Sequence, residues 1–145
     1  MRKAGLFARL IAFILDGFVL SVLSSIISFV VILIADIDLS FSNNHLSVVT
    51  HSAAGILAIS LILLEFLYFG FLWSAYGMSV GMRIFNIKVV RTDGSKVGFF
   101  RAGFRGTFGY WISGLILGLG YIWAAFDHER QAWHDKIFDT LVIEN

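Results

Sequence analysis

The chain has 145 residues, 58% of them hydrophobic and 14% charged, with a formal net charge of +1. A soluble domain is typically about 45–50% apolar and about 25% charged, so a soluble globular core does not account for this composition. The absence of Cys removes disulfides and thiolate metal sites, and the absence of Pro leaves helix breaking to the 14 Gly. The length suggests one domain over 1–145.

Taken in chain order, the first element is a membrane helix over about 6–35. From Leu10 to Ala35 its only charge is Asp16. That run could reach about 39 Å, longer than a hydrocarbon core of about 30 Å, so it tilts or passes the interface. Arg2 and Lys3 precede it, and no small-residue cleavage site follows a short apolar core, so it reads as a retained membrane helix. The second helix covers about 53–74 and is interrupted only by Glu65. Trp73 and Tyr76 at its end fit an interfacial aromatic belt.

A β region is expected over 83–99, where β-branched residues flank the hairpin signal Asp93-Gly94. A third hydrophobic segment covers about 101–126, free of charge from Gly106 to Phe126 and interrupted by Gly106, Gly109, Gly114, Gly118 and Gly120. Two readings stand. One is a helical hairpin hinged at 114–120; the other is a straight third span that packs through Gly114-x-x-x-Gly118. The tail, 127–145, carries a short strand at 140–143 whose visible partner is 87–91.

Orientation comes from the loops. The connection 36–52 holds Asp36, Asp38, His45 and His51 and no Lys or Arg, while 77–105 is rich in Lys and Arg. The positive-inside rule puts the N-terminus and 77–105 in the cytoplasm and 36–52 outside. The strand pairing then favours a cytoplasmic C-terminus and the hairpin.

Gly5, Arg9, Ala12 and Asp16 share one helical face, small and polar, that should meet protein rather than lipid. A carboxylate in hydrocarbon costs on the order of 2.5 kcal/mol or more, so it faces a partner or a wet cavity. Arg9 would lean away from Asp16, so each should find its partner on another segment. Glu65 and Asp16 lie at similar depth, and the pair could form a cation or proton site or serve as structural glue. His128-Glu129 starts like a zinc-binding HExxH, but its last position is Ala132. No metal site, cofactor or nucleophile–base pair is expected, so no enzyme is expected either.

Three stretches resemble the RDD family of bacterial membrane proteins, named for one arginine and two aspartates. They are Ala4–Asp16, Gly77–Val90, and Trp123–Asp127 through Arg130–Lys136 to Leu141-Val-Ile. The resemblance matches the arginine to Arg9, the first aspartate to Asp16 and the second to Asp135, with Asp127 as the alternative. One departure is Met82-Arg83, where the family often has Lys directly after the glycine. Glu65 is outside the match. The resemblance implies membrane residence and a transport role, with cation/proton antiport proposed for some members.

The expected protein is an α-helical integral membrane protein of the bacterial inner membrane, multi-pass, with two transmembrane helices, the third Gly-rich segment and a small cytoplasmic β element. Its expected polar centre is Arg9, Asp16 and Asp135, with Glu65 and Asp127 as further candidates. Two functions remain open. One is transport of a cation, proton or small solute, with a homo-oligomer required by so narrow a bundle. The other is a non-catalytic assembly or regulatory subunit that binds another membrane protein. The lipid bilayer is the expected partner in both; nucleic acid is not.

Overall fold

In the computed structural model the chain is mostly helical. Residues 2–41, 46–115 and 117–145 are described, with side chains described for all but 35–41 and 46–53. Helices α1 (Leu6–Phe41) and α2 (Leu46–Tyr76) are the long elements. The stretches Leu6–Ile34 and Ala54–Ile84 are long and apolar enough to cross a membrane. The connection expected over 36–52 is narrower, since helix continues to Phe41 and resumes at Leu46. The stretch 36–52 contains neither Gly nor Pro, and other polar residues cost a helix only up to about 0.7 kcal/mol each. Residues 42–45 lie outside the described residues.

The chain divides into two compact units, one of Met1–Gly17 with Glu65–Asn145 and the other of Phe18–Leu64. In the second unit Ser21, Ser25 and Ser28 each donate to a carbonyl three or four residues back, so their hydroxyls are satisfied within the helix. Phe18, Ile26, Phe29 and Ile32 are exposed, the apolar surface a lipid-facing helix presents.

The first unit holds the rest of the elements. Ser79, in extended conformation, caps the short helix α3 (Val80–Ile84) by accepting from the Met82 N–H. Strand β1 (Ile87–Arg91) pairs antiparallel with β2 (Thr140–Glu144), Val89 opposite Val142. The N-terminus joins this edge through a Lys3–Ile143 bridge and backbone bonds at Ala4 and Glu144.

The hairpin expected within 83–99 does not form. Asp93-Gly94 makes a turn, closed by Gly94 N–H to the Arg91 carbonyl, but no strand follows it. β2 takes one edge of β1; on the other, Arg91 N–H bonds to the Ser95 carbonyl but Val89 N–H donates to the Gly77 carbonyl, and 99–104 begins the next helix.

The third segment runs through α4 (Phe99–Phe104), a π-helical turn (Arg105–Gly109) and α5 (Tyr110–Gly114). It breaks and resumes as α6 (Leu119–Ile122) and a 3-10 turn, Trp123–Ala125, bent by 106° from the first part. The break is built on left-handed backbone at Leu117 and Gly118, with φ of 49° and 75°. At Gly118 that conformation carries no Cβ penalty. Gly114-x-x-x-Gly118 is therefore not a packing face: a Cβ on Gly114 meets nothing within 4 Å, and Gly118 is the hinge. A last helix, α7 (Trp133–Ile137), leads into β2.

The core of this unit is aromatic. Tyr110 stands edge-on to Phe13, Phe69, Trp73 and His134, at ring separations of 4.8–6.0 Å. Trp73 is fully buried rather than part of an interfacial belt, whereas Tyr76 is exposed.

Candidate functional site

The two aspartates of the sequence pattern sit in separate polar clusters. Asp16, on α1, is 2% exposed. One oxygen accepts from the Tyr68 hydroxyl at 2.7 Å and the Gly81 N–H at 2.8 Å, and the other from the Ser79 hydroxyl at 2.5 Å. These contacts depend on close approach. A Cβ on Gly81 would run into the Ala12 carbonyl, so Gly81 lets the turn at 79–81 reach α1 one helical turn before Asp16. Ser79 then does two things, donating to Asp16 while accepting from Met82.

Asp135, 0% exposed, is held by two arginines from two other elements. Arg9 Nη1 donates to one oxygen at 3.2 Å. Arg105 donates to the other through Nη2, in a short contact, and through Nε at 3.2 Å. The Ala132 N–H also reaches the carboxylate, at 3.1 Å, so Asp135, third in α7, bonds back to its helix start as in a capping box. Arg9 ties in two more segments, donating to the Arg130 carbonyl at 2.7 Å and the Val142 carbonyl at 2.9 Å. Arg105 is buried to 1%, and its guanidinium carbon lies 4.4 Å from the centre of the Trp73 ring. The π turn that begins at Arg105 adds a residue to the helix, a device common at functional sites.

His134, next to Asp135 in α7, is buried as well. Burial pushes its pKa down to about 3; Asp135 opposes this, and Arg105 and Arg9 add to it. The ring is therefore neutral at pH 7. Its main-chain N–H donates to Ser113 Oγ, which in turn lies 2.8 Å from Nδ1. Where the hydroxyl gives its proton to Nδ1, the ring proton is on Nε2, which lies 3.6 Å from Asp135. For Asp135 burial works against the charge, but the neighbouring cations outweigh it and hold the carboxyl at about 2. With His134 neutral, those cations are Arg105 and Arg9.

The remaining predicted site residues lie apart. Asp127 organises the tail, accepting from the Glu129 and Gln131 N–H groups and pairing with Lys136. Lys136 holds its pKa below the usual carboxylate range. Glu65 is half-buried beside Trp111 and is hydrogen-bonded to neither aspartate. The position facing Asp16 is taken instead by Tyr68, one turn further along α2. Among the described residues no group of three His, Cys, Asp or Glu could hold a metal ion.

A half-open cavity of about 380 Å³ lies against the Asp135 cluster, with Arg9, Arg105, His134 and Asp135 on its polar wall. Leu6, Leu10, Phe13 and Ile122 form much of the rest.

The family model described as RDD family matches residues 3–139, nearly the whole chain. The chain belongs to the RDD family. It is also 30% identical over 149 residues to the uncharacterized protein YxaI of Bacillus subtilis (strain 168), covering 98% of this chain and 97% of that one. No solved structure matches it. RDD membership makes this a membrane-associated chain and carries no assigned activity. Within it, Arg105, Ser79 and Tyr68 are the site residues that sequence reasoning missed. Arg105 was visible only as one of several basic residues of 77–105, although it alone of these directly precedes the charge-free run from Gly106. Ser79 carried a helix-cap signal ahead of Val80. Nothing in the sequence marked Tyr68.

Proposed function

We propose that this RDD-family protein is a bacterial inner-membrane carrier for a small solute, seated in the cavity against Arg9, Arg105 and Asp135. The observation that carries this reading is the half-open cavity with a charged end wall and apolar sides. Small solute is favoured over cation exchange because both Asp16 oxygens already accept from protein donors. A cation would have to displace three of them. The N-terminus, 77–105 and the C-terminus share the cytoplasmic side in this reading, with the third segment dipping in and returning. Support comes from the basic loops and from the pairing of β1 with β2, which the chain reaches only after passing through that segment.

The test is counterflow in proteoliposomes loaded with a panel of small organic solutes, beside a pH-dye assay with sodium and potassium pulses. Saturable uptake of one solute class, lost in Leu10→Trp, is the expected result. Cation-driven collapse of the pH gradient, abolished by Asp16→Asn, would move the function to Asp16 and overturn the proposal.

A second reading has its own observation. Arg9 joins α1 to the 130s turn, α7 and β2, so the ion pair can serve as a latch that presents a fixed surface to another membrane protein. Arg9→Gln, which opens the latch while Arg105 still balances Asp135, should then lose partner binding in a chain that remains folded, whereas Leu10→Trp should keep it.

A further inference from the structure

The cavity wall carries an imbalance of charge and of hydrogen bonds. Its ionised residues are Arg9, Arg105 and Asp135, a net of one positive charge, since His134 is neutral at pH 7. Arg9 Nε is buried and, among the described residues, has no acceptor, while Arg105 meets the Tyr110 hydroxyl as well as Asp135. Since these nitrogens are closed off, a ligand in the cavity would meet the guanidiniums through their net positive charge. The other walls are apolar, and Leu10 and Ile122 are each more than half exposed, at 56% and 53%. Arg9 lies within the first turn of the span Leu6–Ile34, at the end of a membrane helix, the depth at which lipid head groups lie.

Each feature narrows the occupant. A cation is repelled by the net charge. A dianion would leave one uncompensated negative charge in a largely apolar enclosure. A neutral or zwitterionic head would leave the positive one. A volume of about 380 Å³ is at the small end for ligand pockets, enough for a head and the start of one chain, with the remainder passing out through the open side. We propose that the cavity binds a singly charged anionic amphiphile, its phosphodiester or carboxylate head on Arg9 and Arg105 and its acyl chain along Leu10 and Ile122. This builds on the solute-binding reading above and names its ligand class. Guanidinium groups suit both heads through their fixed positive charge.

The test is equilibrium binding to the delipidated full chain in neutral detergent, read by native mass spectrometry and by thermal unfolding. The probes are phosphatidylglycerol, oleate, phosphatidylcholine and inorganic phosphate. Phosphatidylglycerol or oleate should bind roughly fivefold or more tightly than phosphatidylcholine, from one net cation at the site. The two anionic arms identify the head, and binding by either supports the proposal. Leu10→Trp, which fills the cavity from one wall, should abolish that preference while leaving the ligand-free unfolding temperature near that of the parent. Ile122→Trp, from another lining position, carries the test if Leu10→Trp does not fold.

Equal binding of phosphatidylcholine, an unfolding shift reproduced by inorganic phosphate alone, or full anion preference in the folded Trp variants would overturn the proposal. Binding without any flux overturns only the carrier reading. Flux undiminished by saturating phosphatidylglycerol and oleate overturns only this one.

Discussion

Asp135 neutralises two buried guanidiniums, so its removal should be the most damaging single change in the cluster. Asp135→Asn leaves Arg9 and Arg105 facing one amide oxygen in place of a carboxylate, with side-chain exposures of 13% and 1% and no other anion in contact among the described residues. Removing one partner of a buried ion pair costs about 3–5 kcal/mol. Arg9→Gln is milder. It strips one contact from Asp135 and leaves the Arg130 and Val142 carbonyls short of a donor, but Arg105 still balances the carboxylate. Hydrogen bonds to charged groups contribute about 1.5–3 kcal/mol, which sets its cost.

The double variant decides the matter. Once Asp135 is gone, Arg9 is a second uncompensated cation beside Arg105, so removing it should relieve repulsion. The double should unfold no lower than Asp135→Asn alone, a coupling of roughly 0.5–3 kcal/mol against additivity. Thermal unfolding in one detergent reads this directly, since 1 kcal/mol moves the midpoint of a chain of this size by roughly 2–4 °C. Strictly additive losses, or Asp135→Asn within a degree or two of the parent, would refute the charge balance argued here.

Gly81→Ala should cost about 1–3 kcal/mol of stability in the same assay, because its Cβ meets the Ala12 main chain and must push the Asp16 donors away. Gly118→Ala should cost about 1–2 kcal/mol for placing a Cβ at φ 75°, whereas Gly114→Ala, with open space around its Cβ, should be neutral or slightly stabilising. Equal effects of those two would argue against a hinge at 118.

The pH dependence of the unfolding midpoint should carry the mark of His134. Its folded pKa, about 3, is below its unfolded value near 6.5, so the neutral ring is favoured by folding. That contribution is complete above pH 6.5 and is lost as the pH falls toward 3. The loss should reach up to about 3 kcal/mol by pH 4. Asp135, held at about 2, loses its contribution only below pH 3.8. His134→Asn should therefore flatten the profile between pH 6.5 and 4 and leave the acid limb unchanged.

Much of the fold was legible because bilayer-length apolar runs and strand pairing are local or nearly local signals. Val89 and Val142 stand opposite each other between strands set by β-branched runs at 87–91 and 140–143. The third segment was harder, because glycine has several uses. Gly118 breaks the helix by its left-handed backbone, while Gly106 admits Phe69 against its Cα, and composition does not separate the two. At the site, Arg9 and Asp16 stood out as charges in an apolar helix. Their partners did not, because Tyr68, Ser79 and Arg105 are ordinary residues at their places in the chain and are brought in by packing. The hairpin at Asp93-Gly94 failed for the converse reason: a sound local turn signal makes one bond, Arg91 N–H to Ser95, and then finds the next N–H of that edge, Val89, donating to Gly77.

The two carboxylates are neutralised by different means, and the difference bears on which can take part in function. Asp16 is met by a main-chain N–H and two hydroxyls, all neutral and all contributed by the packing of α1 against 68–81. Moving it would open that packing directly. Asp135 is met by two cations whose long side chains come from α1 and the π turn, with a cavity at their side. Guanidinium groups can follow a carboxylate or exchange it for another anion by changing rotamer, with little movement of the backbone. An incoming anionic head could share the positive charge of Arg9 and Arg105 with Asp135. In the carrier reading proposed above, the tail cluster is therefore the part that would answer a ligand, and Asp16 the part that would stay fixed.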